Sequence, residues 1–251
     1  MFGIETIFET LPQFLIVCAI LALAEAVYVL LGFGAGLIAV GTMALLLPEL
    51  KDAVVILLLV NLPAELWIVR SSWQRISWRG VLVIFIGVAI GTPLGTSLLR
   101  WGDARFLLIV LGVFLVAVGA VFLFIKDARK RQMPRWIAGP IGVISGVLTG
   151  LFGTGGPPVI VLLKGYGLDK GAFRATLISF FLLMSLMRGG TYINAGLLTT
   201  EELLAALWLL PASLAGTVLG MVIHGRLSER FFGYAVSLLL ILLGGLLVIG
   251  R

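Results

Sequence analysis

Charge is scarce in this chain. Only 12% of its 251 residues are Asp, Glu, Lys or Arg and 61% are apolar, against about 25% charged in an ordinary soluble domain. No polar stretch exceeds about a dozen residues, too few for a separate aqueous domain. A soluble enzyme is excluded. With one cysteine, Cys18, no intramolecular disulfide can form, and with one histidine, His224, there is no Cys/His cluster to hold a metal. No metal, redox group or other cofactor is expected. The G-x-x-x-x-G-K-[ST] phosphate loop is missing too, so ATP coupling would need another polypeptide. The net charge of +6 is scattered over short loops and lacks the basic, aromatic-interleaved surface that nucleic acid requires. The first ten residues hold Glu5 and Glu9 and no Lys or Arg, whereas a secretory signal opens with positive charge, so the N-terminus reads as mature.

In place of polar surface the chain has length suited to hydrocarbon, in ten apolar segments. They run roughly 11–31, 35–48, 53–69, 80–99 and 106–125, then 137–152, 156–166, 173–190, 203–223 and 231–250. The second and seventh are too short to span a bilayer comfortably. The expected fold is all-α, a single polytopic membrane domain over 1–251 with about eight to ten membrane segments, two of them short or re-entrant.

The chain also repeats itself. Gly91-Thr92-Pro93-Leu94-Gly95 matches Gly216-Thr217-Val218-Leu219-Gly220, and Arg105-Phe106 matches Arg230-Phe231, both at an offset of 125. Earlier in each half, Gly32-Phe33-Gly34-Ala35-Gly36 aligns with Leu151-Phe152-Gly153-Thr154-Gly155 at an offset of 119. The halves are 1–130 and 131–251, with five segments each. Because five is odd, the second half enters from the opposite side, which makes the repeat inverted. Loop charge agrees. With both termini outside, the inner loops collect Arg70, Arg75, Arg79, Lys126, Arg129, Lys130, Arg131, Arg135, Lys164, Lys170, Arg174, Arg226 and Arg230, thirteen of the 18 basic residues, as the positive-inside bias demands.

At membrane depth every backbone N–H and C=O needs a partner, so a glycine-rich break is tolerable only where protein covers it or water reaches it. Each half has one: Gly32 to Gly36, and Gly150 through Gly153, Thr154, Gly155 and Gly156 to Pro157 and Pro158. Proline at a helix start is well tolerated, so a new helix is expected there. Its free N–H groups, and chain with no Cβ in the way, would favour an anion. Gly34, Ala35, Gly36, Gly153, Thr154, Gly155 and Gly156 are therefore the expected backbone cradle. The regularly spaced Gly87, Gly91 and Gly95, like Gly216 and Gly220, are expected to let helices cross closely.

Three charged residues fall deep within apolar segments, Glu25, Glu65 and Arg188, where a charge costs about 2.5–3.5 kcal/mol and needs a reason. Arg188 would supply positive charge to an anion path. Glu25 or Glu65 would take up and release a coupling proton. The alternative is that Glu65 and Arg188 form a structural ion pair, or that Arg188 snorkels to the surface. Asn61, Thr154, Thr176 and Ser179 are candidate donors to substrate oxygens, although Ser and Thr in membrane helices often bond their own preceding turn.

At these residues the sequence resembles the sulfite exporter TauE/SafE family of membrane permeases. The resemblance rests on the Gly32–Gly36 stretch ending at Leu47-Pro48, the Gly150–Pro158 stretch, and the duplicated layout, and it covers nearly the whole chain. It implies movement of small oxyanions such as sulfite and sulfonates across the bacterial cytoplasmic membrane. Ala35 and Pro157 stand where members often carry a further glycine.

The combined expectation is a secondary transporter for a small sulfur-containing oxyanion, bound between the two breaks, coupled to protons, and working by alternating access. A passive anion channel using the same residues is the rival. Its surroundings are lipid, and spare small-residue faces would accommodate a homodimer.

Overall fold

The computed structural model describes residues 7–8, 10–31, 34–47, 49–124, 135–166, 168–223 and 229–249. Among them every regular element is helical: α1 (Leu11–Leu31), α2 (Ala35–Leu46), α3 (Leu50–Ser72), α4 (Trp78–Trp101), α5 (Ala104–Phe124), α6 (Ala138–Phe152), α7 (Gly156–Gly165), α8 (Lys170–Asn194), α9 (Thr200–Ile223) and α10 (Glu229–Ile249), with short 3-10 turns at Trp73–Arg75 and Arg135–Ile137. Among the described residues six helices are long and apolar enough to cross a bilayer, so the chain is an all-α, multi-pass membrane protein. Side chains such as Ile86, Ile90, Leu94, Leu207, Val218 and Leu242 are exposed, as a surface solvated by acyl chains requires. Trp73, Trp101 and Trp136, exposed near helix ends, are suited to the headgroup level.

Both glycine runs break the helical path. The 12 residues of α2 and 10 of α7 reach only about 18 and 15 Å at 1.5 Å per residue, well short of the roughly 30 Å hydrocarbon core. Gly34 precedes α2 with φ of 100° and Gly153 closes α6 with φ of 67°, left-handed backbone that glycine alone adopts without strain. Gly32, Phe33, Pro48, Glu5, Glu9, the basic run Lys126 to Arg131, His224 and Arg226 lie outside the described residues.

The chain forms two compact units that cut across the sequence halves. Unit 1 comprises residues 1–60, 102–124 and 196–251, and unit 2 comprises 61–101 and 125–195; the boundary falls inside α3, after Val60. In unit 1, α1 packs along α9 and against α2, and α5 packs along α10. In unit 2, α4 packs along α6 and α8, and α7 packs against α6 and α8.

Small residues make the closest of these contacts. A β-carbon on Gly87, Gly91 or Gly95 would strike the backbone of Gly139, Val143 or Val147 on α6, and one on Gly142, Gly146 or Gly150 would strike the carbonyls of Ile84, Val88 or Thr92 on α4. Gly216 and Gly220 sit in the same way against Ala22 and Ala26. With lipid as solvent, helix association depends on such close van der Waals approach. Gly91→Val is accordingly expected to lower the detergent unfolding midpoint, at a cost of about 1–3 kcal/mol from overpacking. Gly139, which has open space around its Cα, is the control: Gly139→Ala should match or exceed wild-type stability, since helical glycine is about 1 kcal/mol worse than alanine.

Candidate functional site

In unit 2 a charged side chain is buried beside the helix break. Arg188, on α8, is 2% exposed, and its Nε and Nη1 have no hydrogen-bond partner among the described residues. Its guanidinium lies directly on Gly153, where any β-carbon would overlap Nη1. The guanidinium carbon also stands 5.8 Å from the Tyr192 ring centroid, a cation–π distance. Arg188 therefore points its charge inward at the α6–α7 break and does not snorkel to the surface.

Neighbouring groups fix this arrangement. The fully buried Tyr192 hydroxyl donates to the Gly150 carbonyl at 2.9 Å, capping one of the free C=O groups at the end of α6. Thr191 donates to the Arg188 carbonyl at 2.9 Å and shares a 2.9 Å hydroxyl contact with Thr96 of α4. Gly155, the residue before α7, is wedged against the Ser145 carbonyl, Thr149 and Met184, so the break is folded tightly over the last turns of α6.

The break presents polar groups that helix packing leaves free. Thr154 Oγ1 and Ser145 Oγ are buried without a partner among the described residues. A helix start ordinarily leaves four N–H groups free, but Pro157 and Pro158 have none. The start of α7 therefore offers only the amides of Gly155 and Gly156, and the guanidinium is the main positive element.

Glu65 of α3 is 4% exposed, and its carboxyl faces Ser185 and interacts electrostatically with Arg188. They are not joined as a contact ion pair. Among the described residues the salt bridge is the peripheral Lys51–Glu49 at 2.7 Å, and Glu65 Oε2 has no hydrogen-bond partner. Asn61, one turn before Glu65, has Oδ1 buried and likewise unpartnered. Pro63, between them in α3, leaves the carbonyl one turn earlier without its helical donor.

The other expected residues are engaged or belong to unit 1. Ser179 is buried and donates to the Ala175 carbonyl at 2.7 Å, within its own helix. Thr176 accepts from the Ser77 amide at 3.0 Å. Gly34, Ala35 and Gly36 lie at the start of α2 in unit 1, with Ala35 buried. Glu25 is also in unit 1, 1% exposed on α1. The buried charged side chains described in that unit, Glu25, Asp52 and Glu202, are all acidic. Lys164 is exposed and Cys18 is half-buried as a free thiol.

Sequence reasoning missed Ser145, Ser185 and Tyr192. Ser185 and Tyr192 could have been found from their spacing, three residues before and four after Arg188, which puts all three on one face of α8.

The sequence profile of the sulfite exporter TauE/SafE family matches residues 17–247. A probable inner membrane transporter protein TsaS of Comamonas testosteroni is 28% identical over 193 residues, covering 75% of this chain and 80% of that protein. A probable sulfite/organosulfonate exporter TauE of Cupriavidus necator is 28% identical over 196 residues, covering 75% of each. With helices of membrane length and a family match spanning nearly its whole length, the chain belongs to the sulfite exporter TauE/SafE family of membrane transporters and is not an enzyme.

Proposed function

We propose that this chain is a secondary transporter for a small sulfur-containing oxyanion, such as sulfite or an organosulfonate, in the bacterial cytoplasmic membrane with both termini outside. The observation that carries this reading is the buried Arg188 guanidinium, two of its nitrogens without a hydrogen-bond partner among the described residues, lying on the Gly153 backbone, next in sequence to Thr154, whose buried hydroxyl is likewise without a partner. A cation at that depth needs a partner, and an oxyanion takes both the charge and the planar donor pattern of a guanidinium. Asn61, Gly155 and Gly156 would complete the contacts. Glu65 is the carboxyl best situated to exchange a coupling proton, and Glu25 is a second. The Cupriavidus relative, named as a probable sulfite/organosulfonate exporter, supports the substrate class.

The transport cycle we infer is alternating access in an inverted repeat. Packing supports the repeat: Gly91 and Gly95 of the first half lie on α6, which opens the second half, and their counterparts Gly216 and Gly220 lie on α1, which opens the first. A thermal-shift screen of the purified protein against sulfite, sulfoacetate, other sulfonates, sulfate and thiosulfate tests the substrate class. A true substrate at a hundred times its Kd should stabilise the fold by about 2.7 kcal/mol. No response to any of them would remove the substrate class while leaving the architecture. Uptake into proteoliposomes above the external concentration, driven by an imposed pH gradient, is the result expected of a coupled transporter; flux that only runs downhill would make it a channel.

A further inference from the structure

We propose that Glu65 and the transported anion are alternative counter-ions of the single Arg188 guanidinium, so that the site admits one negative charge together with one proton and selects monovalent oxyanions over divalent ones. The inference rests on the anion-site reading above and adds a rule of valence to it.

Within unit 2 the charges on each element around Arg188 can be counted: the Trp73–Arg75 turn, which packs against α8, carries the exposed Arg75, and Asp169, exposed at the start of α8, is held by the Gly171 and Ala172 amides. α6 has no ionisable side chain, and α4 has only Arg79 and Arg100, one residue inside its two ends. On α7, Lys164 is exposed in the last turn. On α8, Lys170 and Arg174 lie in the first two turns, Arg174 exposed, and Tyr192 is held as a donor to Gly150. On α3 beyond Asn61, Arg70 is exposed and Glu65 is buried. Within the buried part of unit 2, the described charged side chains are thus Arg188 and Glu65.

With Glu65 ionised the two already balance, and an anion entering beside them would bring an uncompensated negative charge into a medium that penalises it strongly. With Glu65 protonated, a monovalent anion neutralises Arg188 completely. A divalent anion leaves an excess charge in either state. The backbone cannot offset that excess, because Pro157 and Pro158 withhold two of the amides a helix start would ordinarily direct at a guest. The Glu65 carboxyl and the anion therefore compete for one cation, and the proton decides which holds it. The net cargo, one anion and one proton, is electrically neutral.

Methanesulfonate and sulfate separate the alternatives, because each keeps a fixed charge across the neutral range, one negative and two negative respectively. Isotherms with the full chain in nanodiscs should show methanesulfonate binding about a hundredfold tighter than sulfate. Its affinity should fall with rising pH, by up to about tenfold per unit once Glu65 is ionised. In Glu65→Gln that pH dependence should flatten, and in Glu65→Asp it should persist. Sulfate binding within about threefold of methanesulfonate, a flat wild-type profile, or an undiminished slope in Glu65→Gln would each overturn the valence rule. The wild-type ratio and slope decide the matter even if Glu65→Gln fails to fold. If both anions bind equally and Arg188→Gln abolishes both, the anion site stands and the valence rule falls; if neither anion binds at all, both readings fail.

Discussion

Replacing Arg188 with glutamine is expected to abolish oxyanion binding and uptake while leaving the unliganded protein as stable as wild type or more so. The two effects have one cause. In the unliganded state the guanidinium is buried with Nε and Nη1 making no hydrogen bond among the described residues and with no carboxylate in contact, and burying a charged group with its donors unsatisfied is destabilising by several kcal/mol even where a counter-charge lies further off. Glutamine removes that charge. What is lost is the contact with the Tyr192 ring, about 1–2 kcal/mol for a desolvated cation–π pair, and the attraction to Glu65, which can be relieved by proton uptake. With substrate present the balance reverses. An anion brought to a site without its cation forfeits about 3–5 kcal/mol, a factor of roughly a hundred to a few thousand in Kd.

The measurement is a pair of melting curves for each protein, with and without a saturating sulfonate, together with proteoliposome flux. A lower unliganded midpoint and a retained ligand response would make Arg188 a structural residue and remove it from the transport site. Arg188→Lys is expected to fall between the two, because an ammonium keeps the charge but not the planar fork that lies on Gly153.

Membrane folding makes some of this legible in a sequence and hides the rest. Because hydrocarbon demands long apolar segments, the ten segments emerge at the intervals the composition marks, and the breaks before Ala35 and Gly156 follow from glycine and proline chemistry. Hydropathy places the third and eighth segments at 53–69 and 173–190, whereas α3 and α8 run Leu50–Ser72 and Lys170–Asn194. Hydropathy fades where a helix leaves the hydrocarbon, but hydrogen bonding continues. Asp169 extends the start of α8 by accepting from the Gly171 and Ala172 amides, a capping signal that hydropathy alone does not register.

The deep charges Glu65 and Arg188 were legible for the same reason the segments were: each is an exception in an apolar run. Their surroundings were not. That the Arg188 guanidinium lies on Gly153, that Tyr192 holds the Gly150 carbonyl, and that Gly87, Gly91 and Gly95 meet α6 in particular depend on which helices pair, and periodicity does not specify partners. Ser179 shows the opposite limit. It looked like a substrate donor, yet bonding to its own preceding turn is a local option that competes at every membrane serine.

The role of Gly153 can be separated from the mere need for a left-handed turn, because the chain contains its own control. Gly153 and Gly196 both have φ of 67°, but a β-carbon on Gly196 would meet open space, whereas one on Gly153 would run into the Arg188 guanidinium. Alanine at either position incurs the same backbone strain, about 1–2 kcal/mol. Only at Gly153 must the guanidinium also be displaced. Gly196→Ala is therefore expected to lower the melting midpoint modestly and leave sulfonate affinity within about twofold of wild type. Gly153→Ala should lose stability by at least as much and weaken sulfonate binding by about tenfold or more, the equivalent of roughly 1.4 kcal/mol, because the cation no longer rests on the backbone of the α6–α7 break. Flux at saturating substrate should fall less than flux at low substrate, since the damage is to the bound geometry. Equal affinities in the two variants would mean that the position of the guanidinium on Gly153 is incidental to binding, and the site would then have to be sought elsewhere along α8.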